Sequence, residues 1–124
     1  ITPHDLSMKV TGVDNLFCAG EKAGLMVGHT EAICTGTLAG HNAVRKAVGK
    51  ELLILPSSIA CGDLLACIER SLGSPSGLLN KYTFAGGAYY SRMYDSGLYT
   101  TDIRRITQRV KDAGLAGIFS RRLL

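Results

Sequence analysis

Asn15-Leu16-Phe17-Cys18-Ala19-Gly20-Glu21 is a short apolar run that ends on a glycine and a carboxylate, and its reading decides the fold. With Asp14-Asn15 before it and Gly20 after it, the run is too short for a helix and reads as a buried strand. Glu21–Gly28 then mixes small residues with few periodic apolar positions, the pattern of a loop whose backbone approaches another group closely. From about His29 to Val48 the pattern turns helical. Strand, glycine loop and helix in that order predict an α/β arrangement: one buried strand, then mainly helices.

In the helix, Ala32, Gly36, Ala39, Gly40, Ala43 and Ala47 recur at spacings of three and four, which gathers small residues on one face. Two interior glycines cost about 1 kcal/mol each against alanine, so close packing on a sheet or a cofactor is expected to offset them. Gly28 or Thr30 suits the start, and Arg45, Lys46 and Gly49 suit the end. Beyond Pro56, Ser57 or Ser58 is placed to cap a second helix. Ile59, Leu64, Leu65, Ile68 and Leu72 carry its apolar stripe to a stop at Gly73.

The Gly, Ser and Pro of residues 73–77 mark the best boundary, dividing a unit over 1–72 from an extension over 73–124. Residues 78–101, rich in Gly and Tyr, read as a partly ordered loop or a short hairpin. Thr101-Asp102-Ile103 opens a third helix, with Ile103, Ile106 and Val110 on one side and Gly114 at its end.

The 124 residues suffice for one domain, and 46% hydrophobic with 19% charged residues excludes a disordered chain. The net charge of +4 is uneven: residues 1–80 hold six Lys/Arg against seven Asp/Glu, and 81–124 hold eight against three. Leu52–Leu55, an apolar stretch ahead of Pro56, is far too short to cross a bilayer, and no signal pattern opens the chain; a cytoplasmic protein is expected. The first residue is Ile1, not Met, which is expected if sequence is missing upstream. Cys18, Cys34, Cys61 and Cys67 form no CxxC pair and read as reduced core cysteines, with no metal site. His41, in mid-helix, reads as structural.

A strand running into Gly and an acidic residue, then a glycine loop, then a helix, has a use in flavin enzymes. The carboxylate accepts ribityl hydroxyls, the glycines let main-chain N–H groups reach the cofactor, and the helix N-terminus presents positive potential to a reduced flavin. The same pattern also fits an α/β turn that holds no ligand, with Glu21 a solvated loop carboxylate.

Asn15-Leu-Phe-Cys-Ala-Gly-Glu-Lys-Ala-Gly, continued by Val27-Gly-His-Thr-Glu-Ala and Gly36-Thr-Leu-Ala-Gly-His-Asn-Ala, resembles the last FAD-contacting stretch of the glucose-inhibited division protein A family. That family includes the folate-dependent tRNA uridine methyltransferases. Pro56-Ser-Ser-Ile-Ala-Cys-Gly-Asp-Leu-Leu-Ala-Cys-Ile resembles the helix that follows there, so the likeness runs over about residues 13–72. It implies the C-terminal fragment of a Rossmann-like FAD/NAD(P)-binding domain in an FAD-dependent oxidoreductase. Gly20, Glu21 and Lys22 would lie by the flavin ribityl or phosphate, and Gly28, His29 and Thr30 at the helix end facing the ring. The family more often carries Gln at the position of Glu21 and an aromatic at that of His29.

The strand–GxGxxG–helix that cradles the pyrophosphate is absent from these residues, so the remaining N-terminal part or a partner subunit must supply it. The resemblance further implies tRNA and NAD(P)H as partners, and a homo-oligomer is compatible with it. A different class of reading stands beside it, a non-enzymatic protein- or RNA-binding module that uses Arg104, Arg105, Arg109, Lys111, Arg121 and Arg122 of the basic C-terminal region.

Overall fold

A computed structural model describes every residue except Leu25 and Val27. The expected loop over 21–28 therefore lies outside the described residues at those two positions. Four helices follow one another: α1 (His29–Ala47), α2 (Ala60–Leu72), α3 (Gly87–Asp95) and α4 (Ile103–Asp112).

The strand expected over 15–20 is not formed, and no strand occurs among the described residues. Instead two isolated antiparallel bridges, His4 with Val10 and Lys9 with Phe17, fold the first residues back on themselves. Val10 N–H donates to Leu16 O (2.8 Å) and Cys18 N–H to Met8 O (3.0 Å), and there the pairing ends. A strand exists through its ladder, and these residues offer the apolar run no longer partner. Leu16 is left half exposed.

The same segment buries Met8 completely with φ at +69°. A left-handed conformation costs a residue with a Cβ about 1–2 kcal/mol, which full burial of a methionine side chain, about 1.5–3 kcal/mol, offsets. Asp5 holds the turn: its carboxylate accepts from the Ser7 N–H and hydroxyl, and its carbonyl from Met8 N–H.

α1 runs as expected. It ends at Val48, where Gly49 (φ +72°) donates to Lys46 O and Lys50 N–H to Arg45 O, the paired bonds of a Schellman stop. Its packed face, however, is Glu31, Thr35, Leu38, Ala39 and Asn42. Of the small-residue stripe only Ala39 is buried; Ala32, Gly36, Gly40, Ala43 and Ala47 are exposed, and a Cβ added at Gly36 or Gly40 would meet nothing within 4 Å. The close packing expected there is not supplied by the described residues.

α2 begins one residue later than a Ser58 cap implies. Ile59 is its N-cap, with no side-chain capping bond, and Gly73 closes it as expected. The reason is a turn ahead of it: Ile59 N–H donates to Pro56 O, and Gly62 lies directly against that same peptide. Met8, Leu38, Leu55, Leu64, Leu65 and Ile68 make the centre of the core.

Asn42, fully buried, stitches three segments into it. Its amide donates to Ser7 O (2.9 Å) and Leu53 O (2.8 Å), and its Oδ1 accepts from Leu53 N–H (2.7 Å). Asn42→Ala orphans these backbone groups and is expected to cost about 2 kcal/mol in urea unfolding; a loss under about 0.5 kcal/mol would mean that water replaces the amide.

Residues 78–101 correct the expectation of a loop or hairpin. They hold a 3-10 turn over Gly77–Leu79 and then α3, whose Met93 is buried. Tyr82 joins the core, and Tyr89 packs edge-on against both Tyr82 and Phe84, at 5.6 and 5.1 Å. Tertiary packing, not helical periodicity, gives these residues their structure. α4 is capped by Asp102, which accepts from Arg104 N–H (2.9 Å), and buries none of its residues. The chain then returns to α1, where Phe119 meets His41 edge-on at 5.0 Å.

Candidate functional site

Ala19 enters a single 3-10 turn over Gly20–Lys22 in an extended conformation, and Gly20 takes φ +62°. The Gly20 N–H donates to the Thr35 hydroxyl (2.9 Å), which itself donates to Glu31 O (2.9 Å). One buried hydroxyl thus bolts the turn to the second helical turn of α1. A Cβ on Gly20 would touch Ala32 at 3.9 Å. The side chains of Glu21 and Lys22 are left exposed.

Gly28 is the N-cap of α1 at φ +153°, and no side chain caps the helix. The first N–H groups of a helix have no intrahelical acceptor, and in the absence of a cap they carry the positive end of its dipole. His29 and Thr30 are exposed there. Beneath them Glu31 is 3% exposed, and its carboxylate accepts from Phe84 N–H at 2.6 Å. A Cβ on Gly28 would run into that carboxylate, which would have to leave its bond to Phe84 to make room.

The exposed turn at Gly20–Lys22 is therefore fastened to α1 through Ala32 and Thr35, past the helix's exposed start at Gly28–Thr30. The supports of turn and helix start, Thr35, Glu31 and Phe84, were not singled out by the sequence reading. For Glu31 a signal existed: a carboxylate in the first turn of a helix favours the N-terminal dipole.

A second polar group lies between α2 and α3. Asp63, 1% exposed, accepts from Arg92 Nε (2.8 Å) and the Tyr82 hydroxyl (3.1 Å), and pairs with Arg92 Nη2 at 2.8 Å. Hydrogen bonding to Asp63 raises the Arg92 guanidinium further above its ordinary range. Burial, then the charge of Asp63, pushes the Tyr82 phenol up, and the same causes push Tyr89 up to about 12.

These shifts give a pH dependence with a definite sign. Above the ordinary phenol value of 10.0 the unfolded chain loses protons that folded Tyr82 and Tyr89 still hold, so stability falls as pH rises through that window. Urea midpoints for the wild type are expected to drop between about pH 9 and about pH 11, and to drop less in Tyr89→Phe; equal drops would remove Tyr89 as a source.

His41, half-buried, accepts from Arg45 Nε (2.9 Å), and burial followed by the charge of Arg45 lowers its pKa. It serves packing. Among the described residues no three His, Cys, Asp or Glu gather as a metal would require, and no helix is long and apolar enough to cross a membrane.

The first of these features lies in a stretch that is similar to known proteins. The family model described as Glucose inhibited division protein A matches residues 1–51. That match begins upstream of the likeness read from the sequence and ends before α2. A tRNA uridine 5-carboxymethylaminomethyl modification enzyme of Chlorobaculum tepidum is 49% identical over 49 residues, 40% of this chain and 8% of its own length. One of the same description from Clostridium novyi is 46% identical over 59 residues, 48% of this chain and 9% of its own. A methylenetetrahydrofolate–tRNA-(uracil-5-)-methyltransferase of Bacillus cereus is 43% identical over 51 residues, 41% of this chain and 12% of its own. The likeness thus spans about a tenth of the length of these relatives. No solved structure matches the chain.

Proposed function

We propose, on the premise that this chain is a glucose-inhibited division protein A family member over residues 1–51, that those residues close the FAD site of a tRNA-modifying oxidoreductase. The observation that carries the reading is the Gly20–Lys22 turn fastened by Thr35 to α1, a helix whose N-terminus has no side-chain cap. Bound FAD would supply hydride or electron transfer.

The chain's own residues fit one wall of such a site. Main-chain N–H groups of His29 and Thr30 present positive potential to an anionic ring edge, and Glu21 and Lys22 reach ribityl or phosphate oxygens from the turn. Gly28 keeps the approach free of a side chain, while Glu31 fixes the helix start from below. The bare stripe at Gly36 and Gly40 is the face on which the rest of the nucleotide-binding domain would pack. In this reading residues 1–72 are the closing segment and 73–124 an extension, and NAD(P)H and tRNA are met by parts of the protein beyond the matched stretch.

The test uses the full-length product. After gentle purification it is expected to be yellow and to release FAD on denaturation, and Gly28→Val is expected to retain less than about a tenth of that flavin, a loss of about 1.4 kcal/mol or more in binding. A colourless product with no flavin released would overturn the proposal.

A second reading has one observation in its favour. α4 buries none of its residues and exposes Arg104, Arg105 and Lys111, as an RNA- or protein-binding module would. RNA retention that falls steeply with salt, in a flavin-free protein, would support it over the first.

A further inference from the structure

α4 is amphipathic but unpacked. A short helix is ordinarily held to its domain by burial of the apolar face. None of the residues of α4 is buried, and Ile106 stays 42% exposed. The space beside that face is open: a cavity of about 370 Å³ lies between the start of α2, α3 and α4. Its walls are largely apolar and include Ile59, Tyr89, Met93, Leu98, Ile106 and Val110.

Next to it along the same seam is a polar cleft of about 660 Å³, lined by Ser58 ahead of α2 and by Arg105, Gln108, Arg109 and Asp112 of α4. Both walls run on from one space to the other. On one side Pro56 and Ser58 lead to Ile59, Ala60 and Cys61; on the other Arg105 and Gln108 lead to Ile106 and Val110. Arg109 lines both spaces. It stands where the apolar one meets the polar one, and its Nη1 donates to Leu98 O at 2.8 Å, which fixes the guanidinium there. A guanidinium carries five donors, so this one bond leaves others for a carboxylate. The Asp112 carboxylate in the cleft is tied to the Gln108 amide (2.7 Å), and Arg105 with Arg109 outweighs its charge.

We propose that this seam binds an amphipathic monocarboxylate, a free hydrophobic acid with its hydrocarbon body in the cavity and its carboxylate on Arg109. At about 30 Å³ for a group the size of water, the cavity holds a body of about ten carbons. An apolar space with one placed charge is the usual form of a small-molecule pocket. The bound body would supply the apolar contact that α4 lacks, and the bond to Arg109 would select an anion over a neutral chain. The seam lies beyond residues 1–51, the stretch matched by the family model, and the proposal stands whether or not flavin is bound.

Decanoate is the probe, added to the full-length protein while alkylation is followed at Cys61, which lines the cavity, and at Cys18, which does not. Decanoate is expected to slow alkylation of Cys61 with a half-maximal concentration of about 100 μM and to leave Cys18 unchanged. Decanol, the same body without the charge, is expected to need about 10-fold more. Arg109→Gln is expected to weaken decanoate by about 10-fold and to leave decanol within about twofold. Should that variant fail to fold, decanoate against decanol in the wild type decides alone. No slowing at Cys61 by about 1 mM decanoate, equal slowing at Cys18, or equal potency of decanol would overturn the proposal. So would shielding of Cys61 that needs no decanoate and grows with protein concentration, since the occupant would then be a second copy of the chain.

Discussion

Gly62→Ala is expected to destabilise the chain by about 3 kcal/mol or more, because the added methyl has nowhere to go. An ideal Cβ at this position would lie 2.0 Å from Pro56 O and 2.7 Å from Leu55 O. Both obstacles are backbone, so no side-chain rotation relieves the overlap. Either the 55–56 peptide or the start of α2 must shift. The first choice drags buried Leu55, and the second moves Asp63, Leu64 and Leu65, which are all buried. Gly36→Ala is the control: it too is a helical glycine, but nothing lies within 4 Å of its Cβ, and propensity alone predicts a gain of up to about 1 kcal/mol in this chain. Urea unfolding of both variants separates the two cases. If Gly62→Ala stays within about 1 kcal/mol of the wild type, the α2 start tolerates movement and the clamp at Pro56 is not real.

Gly62 also illustrates what the sequence makes legible. Local signals are read well where they act locally: the α1 pattern, the Gly49 and Gly114 stops and the Asp102 start are all found where their chemistry puts them. Three features escape such reading. The apolar run at 15–20 has the composition of a strand, but strandhood belongs to a pairing, and only two isolated bridges are made. The small-residue stripe of α1 shares its period with a buried face, yet Leu38 and Asn42 turn inward instead. The Gly/Tyr segment is held through contacts with Glu31 and Asp63, far earlier in the chain, which no window of neighbours contains.

The candidate site divides the same way. Gly20, Gly28 and the helix start are visible as turn and cap chemistry, and Thr35 fastens the first of them to α1. Thr35, Glu31 and Phe84, which hold these in place, are joined by long-range bonds. Asp63 carries a signal of its own, a carboxylate between Gly62 and Leu64-Leu65 in the otherwise apolar first half of α2. Such a charge requires a partner.

That partner is Arg92, and Asp63→Ala is expected to cost about 2–3 kcal/mol. The carboxylate is 2% exposed and accepts from two Arg92 nitrogens and the Tyr82 hydroxyl; the Arg92 side chain is 44% exposed. A fully buried pair loses about 3–5 kcal/mol when one member is removed, and solvent around the guanidinium reduces the figure here. Arg92→Ala leaves the buried carboxylate with Tyr82 alone and is expected to cost at least as much. In the double variant the losses should fall short of additive by about 1–2 kcal/mol, the coupling that a close charged pair shows. The consequence extends to the α1 start. Asp63 holds Arg92 and also Tyr82, two residues before Phe84, and Phe84 N–H is the donor to Glu31. Hydrogen exchange at the Phe84 amide is therefore expected to speed up in Asp63→Ala under conditions where the core amides of α1 remain protected. Additive losses with unchanged exchange at Phe84 would make the pair a surface contact and leave Glu31 to hold the α1 start without it.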